Sequence, residues 1–183
     1  MKKAMYIISA GSTALCVACA VAYAAYKVSI FYSLAITFGT IAYHFLMRLA
    51  VGFIFNVTMN NRADCTKGWF RQREWEKKLY KRLKVKRWKK HLPTFDPDVF
   101  NLSLHSREEI AQAMCQAELV HEVIVILSFV PLVFSIWFGA FWVFAVTSVL
   151  SAALDLMFVI MQRSNRPRVI RLINREKVKN NEA

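Results

Sequence analysis

The stretch "AELVHEVIVILSFVPLVF", Ala117 to Phe134, decides the fold. It sets a histidine between two glutamates and then runs directly into an apolar segment long enough to enter a bilayer. A hydrocarbon core takes about 20 apolar residues per helix. Working outward, residues 4–26, 30–57, 119–137 and 140–161 each approach that length, whereas 60–118 carries most of the charge. The chain has 183 residues, 56% of them hydrophobic, and a mean hydropathy of +0.31. A soluble domain spreads its apolar residues periodically; here they come in blocks. The expected fold is an all-α membrane protein forming a single membrane domain over 1–183. It would have about four transmembrane helices in two hairpins and an amphipathic helix at the interface. The first block also carries signal-peptide features, Lys2 and Lys3 before an apolar run and "AYA" at Ala22–Ala24. Its apolar run is long for a signal, so a retained helix is expected.

Basic residues set the orientation. Of 25 Lys and Arg, two lie at the N-terminus, fourteen in 60–118 and seven in 162–183. With four spans, 23 of the 25 fall on one side. Both termini and the central segment are therefore expected to be cytoplasmic (N-in/C-in). The net charge of +13 suggests nucleic acid at first sight. No zinc-finger spacing or RNA-binding signature accompanies it, so the expected partners are anionic headgroups or phosphorylated substrates, with no nucleic acid. Cys16 and Cys19 form a CxxC inside an apolar helix, where sulfur packs well. Cys65 and Cys115 fall on the reducing side. Neither pair predicts a metal site or a disulfide.

In 67–92, Trp69, Phe70, Trp75, Leu79, Leu83, Val85 and Trp88 form an apolar stripe among Lys and Arg, predicting one helix in the interface plane. Pro93 ends it. Ser106 with Glu109 reads as a capping box, starting a helix that continues through Glu118 and His121 into the third span, where Pro131 should kink it. Glu118, His121 and Glu122 share a face by i,i+3 and i,i+4 spacing. A carboxylate that orients an imidazole makes it a better base, which marks His121 and Glu118 as a candidate catalytic pair. The same charges could instead sit solvated among headgroups. "MQRSNRPRVIRL", Met161 to Leu172, crowds Gln162, Arg163, Asn165, Arg166 and Arg168 at a helix end, and Pro167 predicts a turn there. Such a turn suits phosphate or carboxylate recognition. Asp155 is deep in the fourth span, with His44 and Arg48 as candidate partners in the second. His91 and Asp96 show an HxxxxD spacing, a pattern of glycerolipid acyltransferases whose other blocks are absent. No Walker loop, GxGxxG, GxSxG or HExxH is present.

Three blocks, "VKRWKKHLP" (Val85–Pro93), "QAELVHE" (Gln116–Glu122) and "DLMFVIMQRSNRPRVIRL" (Asp155–Leu172), occur in this order. They resemble the glycosyl-4,4'-diaponeurosporenoate acyltransferase family, small bacterial membrane proteins with "RKWK", "AELIH" and "QRYNRPRL" blocks. The likeness covers roughly residues 67–172. It implies transfer of a fatty acyl chain to a sugar hydroxyl of a membrane glycolipid, in the named case a glucosylated carotenoid acid. It also implies that His121 and Glu118 are the core polar pair, and that Gln162, Asn165, Arg166 and Arg168 are the basic-polar patch. Arg87, Trp88, Lys89 and Asp155 complete the expected substrate-binding set, with Arg166, Arg168, Arg87 and Lys89 facing an oxyanion or a donor phosphate. Glu122, Ser164 and Asp155 depart from the family pattern, where an aromatic, a tyrosine and an asparagine are expected. No cofactor is expected beyond an acyl donor, acyl-CoA or another acyl carrier. Two other readings remain open from the residues alone. One is a non-enzymatic membrane subunit meeting a protein partner, the other a different small membrane transferase of the isoprenylcysteine methyltransferase type.

Overall fold

The computed structural model describes residues 2–181. Its helices are α1 (Lys2–Tyr26), α2 (Ser29–Met59), α3 (Glu74–Arg82), α4 (Val85–Trp88), α5 (Arg107–Leu127), α6 (Pro131–Phe138) and α7 (Phe141–Asn181). No strand occurs among the described residues. Among the described residues, four segments are long and apolar enough to cross a membrane: α1, α2, Arg107–Phe138 and α7. The protein is an all-α integral membrane protein, as the apolar blocks predict.

Two compact units divide the chain. The first comprises residues up to Phe53 together with Val123–Asp155. Its helices turn large apolar side chains outward, such as Ile126, Ile136 and Trp142 at 70–77% exposure, as helices facing lipid do. Ser12, Thr40, Ser128 and Thr147 each return their hydroxyl to the carbonyl four residues back, satisfying it without water. The Cys16 thiol donates to Ala35 O at 3.4 Å, and a Cβ on Gly39 would lie 3.2 Å from its sulfur. Cys16 therefore serves close packing of α1 on α2. Pro131 has no N–H to give the Leu127 carbonyl. Tyr43 Oη donates to that carbonyl at 2.9 Å and Val130 N at 3.1 Å, so the expected kink is a full break, with α6 starting on the proline.

Asp155 is buried, its Oδ2 2.5 Å from Arg48 Nη2. Arg48 also donates to Ser151 Oγ at 2.8 Å, and Ser151 meets Ser128 at 2.9 Å. Of the two expected partners in α2, Arg48 pairs with the aspartate. The buried His44 ring nitrogens make no hydrogen bond among the described residues.

The second unit comprises Ile54–Glu122 and the chain from Leu156 onward. Its apolar centre is Ala63, Phe70 and Cys115, flanked by Met59, Cys65 and Leu119. Asn60 and Asn61, both at positive φ, turn the chain out of α2, and Asn61 N donates to Gln116 Oε1 at 2.8 Å. The Ser106–Glu109 capping box starts α5 as expected: Glu109 N to Ser106 Oγ is 3.2 Å and Ser106 N to Glu109 Oε2 is 2.8 Å.

Two expectations need correction. The amphipathic helix is confined to α3, because Arg71 and Arg73 are extended and Lys84 adopts a left-handed conformation (φ 50) before α4. The apolar stripe divides accordingly, Phe70 and Val85 being buried while Trp69, Trp75, Leu79 and Leu83 are exposed. Second, Pro167 ends nothing. Helix α7 runs unbroken to Asn181, with arginines anchored on the residues just before the proline.

Candidate functional site

The site grows from the shared face of Glu118, His121 and Glu122 on α5. Glu118 is completely buried and Arg166, from α7, is 1% exposed. Arg166 Nη1 donates to Glu118 Oε2 and Nη2 to the Phe70 carbonyl, and its guanidinium lies 5.2 Å from the Phe70 ring centroid. Arg163 Nη1 donates to Glu118 Oε1 at 2.8 Å and stands 3.7 Å from Glu122. Arg163 Nη2 reaches Glu76 of α3 at 2.9 Å. Each oxygen of Glu118 thus accepts from a different arginine. On these contacts Glu118 is an anchor for two guanidinium groups.

His121 stacks flat on Phe158 of α7, centroids 4.7 Å apart and planes 11° from parallel. The neighbouring Glu122 is half-buried and accepts from Trp69 Nε1 at 2.9 Å, while the Trp69 ring is 61% exposed. The cluster therefore ends at its open edge in an aromatic face beside a carboxylate. Glu76, Glu118 and Glu122 oppose Arg163 and Arg166, a formal excess of one negative charge. Burial, then the charge of Glu76, pushes the Tyr80 phenol up to about 12, keeping it protonated. An arrangement of this sign suits hydroxyl donors better than anions. Arg163 Nε–H is buried with no partner among the described residues and is a further donor at this place.

The remaining expected residues gather elsewhere. Lys89 Nζ donates to Asn165 Oδ1, and Arg168 is near enough that, after burial, it and Lys86 lower the Lys89 pKa. A cavity of about 480 Å³ opens there, lined by Lys86, Lys89, Asn165 and Arg168 among others. Arg166 therefore does not join Arg168 and Lys89 at this cavity. Because α7 continues past Pro167, residues two apart lie about 200° around the helix from each other, so Arg166 enters the core while Arg168 points away from it. Arg87 is exposed, one step off the face that Lys86 and Lys89 share. The half-buried Trp88 donates its indole N–H to Leu83 O at 3.1 Å. Gln162 is buried on α7, and His91 is exposed at the end of a 3-10 turn. Sequence reasoning left Trp69 and Glu76 out of the site and named Arg163 only among the residues crowding the helix end. Nothing in the local spacing of 67–92 says that Glu76 faces inward.

Among the described residues, no three His, Cys, Asp or Glu side chains come together as metal ligands. Comparison with protein families matches residues 66–175 to the glycosyl-4,4'-diaponeurosporenoate acyltransferase family. No curated protein and no solved structure matches the chain. That stretch is more than half of the chain and holds every side chain of the Glu118 cluster, so the chain belongs to the glycosyl-4,4'-diaponeurosporenoate acyltransferase family and is a membrane protein of that acyltransferase type.

Proposed function

We propose that the protein transfers a fatty acyl chain from a thioester donor, acyl-CoA or another acyl carrier, to a hydroxyl of a glycolipid or other membrane lipid. The reaction takes place at the cytoplasmic face of a bacterial cytoplasmic membrane. His121 takes the proton of the acceptor hydroxyl as its oxygen attacks the thioester carbonyl. The tetrahedral oxyanion collapses, the ester forms, and the thiolate leaves with the proton that His121 returns. Glu118 acts as a positioning residue that holds Arg163 and Arg166. Trp69 offers an apolar face for the flat side of a sugar ring, and Glu122, fixed by the Trp69 indole, accepts from sugar hydroxyls.

The observation that carries this reading is the buried Glu118–Arg163–Arg166 cluster, inside the family-matched region, next along α5 to His121 and Glu122. The negative balance at its exposed edge supports a polyhydroxyl acceptor over an anionic one. Comparative lipidomics of cells lacking the protein, complemented by wild type or by His121→Ala, tests it. An acylated lipid should disappear on deletion and return with wild type alone. Full restoration by His121→Ala would remove His121 from the chemistry.

A further inference from the structure

The cavity beside Lys89 is chemically unlike the Glu118 cluster. Five cations line it: Lys86, Lys89, Arg168, Arg171 and Arg175, with no carboxylate among the lining residues. Ser164 and Asn165 add neutral polar groups to the same wall. On α7 the spacing from Ser164 to Arg168, Arg171 and Arg175 is i, i+4, i+7 and i+11, a single helical face, and Lys86 and Lys89 form an i,i+3 pair opposite. Like charges gathered at one place repel, and Lys89 records this in a pKa lowered by burial and then by Lys86 and Arg168. A ligand that reverses this repulsion must carry more than one negative charge. The volume of about 480 Å³ falls within the roughly 300–1,000 Å³ of small-molecule sites. Guanidinium groups pair bidentately with phosphate oxygens, and ammonium groups add point charge.

We infer that this cavity is a phosphate-binding site for a small polyphosphate-bearing group. Two sources share that chemistry, the phosphorylated handle of a coenzyme A-type acyl donor and the headgroup of an anionic phospholipid. Identifying the phosphate with the donor rests on the acyl-transfer reading; the cavity's affinity for phosphate does not. If the donor is bound there, its phosphates are gripped on a basic face apart from the Glu118 cluster, while its thioester end extends to the acceptor hydroxyl at His121.

The test uses the full chain in phosphatidylcholine nanodiscs, titrated with inorganic pyrophosphate. Saturable binding is expected. Arg168→Gln with Arg171→Gln, and separately Lys86→Gln on the other wall, should each weaken it by about tenfold or more, as loss of charge-assisted hydrogen bonds does. Arg82→Gln, an exposed cation of α3 outside the cavity, should leave it unchanged. Competition by coenzyme A assigns the site to the donor; displacement only when phosphatidylglycerol is added to the discs assigns it to a headgroup. Absence of pyrophosphate binding, or equal loss in Arg82→Gln, overturns the proposal. Binding retained in His121→Ala while the acylated lipid is lost would separate this site from the chemistry. Unfolding midpoints of the variants guard against misfolding, and because the two sets of substitutions lie on different elements, failure of one to fold leaves the other decisive.

Discussion

Single residues here carry opposed electrostatic assignments. Glu118 is completely buried and holds two guanidinium groups, one of them equally inaccessible. Removing one member of such a network leaves uncompensated buried charge, so Glu118→Ala should destabilise the protein by about 3–5 kcal/mol. Glu118→Gln keeps an acceptor and the shape, and should lose less. Denaturant unfolding of the detergent-solubilised protein measures both; equal stability of wild type and Glu118→Ala would show that the arginines do not depend on this carboxylate. Arg166→Lys should also fail, because one ammonium cannot match the planar fork that spans Glu118 and the Phe70 carbonyl. Lys89 makes a pH prediction. Its folded pKa lies below the usual lysine range, so its charge is lost at a lower pH than that of an ordinary lysine. As pH rises, anion affinity should fall sooner in wild type than in Lys89→Arg, whose guanidinium stays charged. Pyrophosphate titrations from neutral to alkaline pH compare the two, and parallel profiles would count against Lys89 as a contact.

At the scale of elements, α7 holds a proline that ought to break it. Pro167 cannot donate to the carbonyl of Arg163 four residues back, and a helix-interior proline costs about 3 kcal/mol. The helix persists because tertiary contacts fix its frame: Arg163 and Arg166 are tied to Glu118 just before the proline, and Arg171 Nε donates to the Pro167 carbonyl at 3.2 Å just after it. Pro167→Ala should therefore raise stability by about 1–3 kcal/mol with the helix unchanged, measured by unfolding and circular dichroism. No gain would mean that the proline is already at a helix boundary. The same residues show what a sequence reveals. The spans were legible because a bilayer imposes length and polarity on any helix that crosses it. The α5 start was legible because Ser106 and Glu109 satisfy each other locally. Continuation through Pro167 was not, since it depends on Glu118, 48 residues away from Arg166 along the chain. The break at Lys84 was hidden too, because apolar periodicity continues across a single left-handed residue. For the site, i,i+3 and i,i+4 spacing showed that Glu118, His121 and Glu122 share a face, but not that arginines from α7 would meet it.

At the scale of the whole molecule, we propose that charge distribution and bilayer energetics together set the orientation. If all four candidate segments among the described residues cross, an even number of crossings would place both ends of the described chain on one side. Twenty-three of the 25 Lys and Arg then share that side. Each basic residue near an anionic leaflet contributes about 1 kcal/mol. Moving that many across the hydrocarbon core would forfeit the attraction and meet the barrier that gives the positive-inside rule. In that orientation Lys27, exposed between α1 and α2 with φ 57, would be left on the opposite face. The orientation can be read in a background where Cys16, Cys19, Cys65 and Cys115 are replaced. A membrane-impermeant maleimide added to intact cells should label Lys27→Cys, while Lys179→Cys should react only after permeabilisation. The reverse pattern would place the basic cavity and the Glu118 cluster on the outer face, away from cytoplasmic thioester donors, and the acyl-transfer reaction would have to draw its acyl chain from a lipid instead.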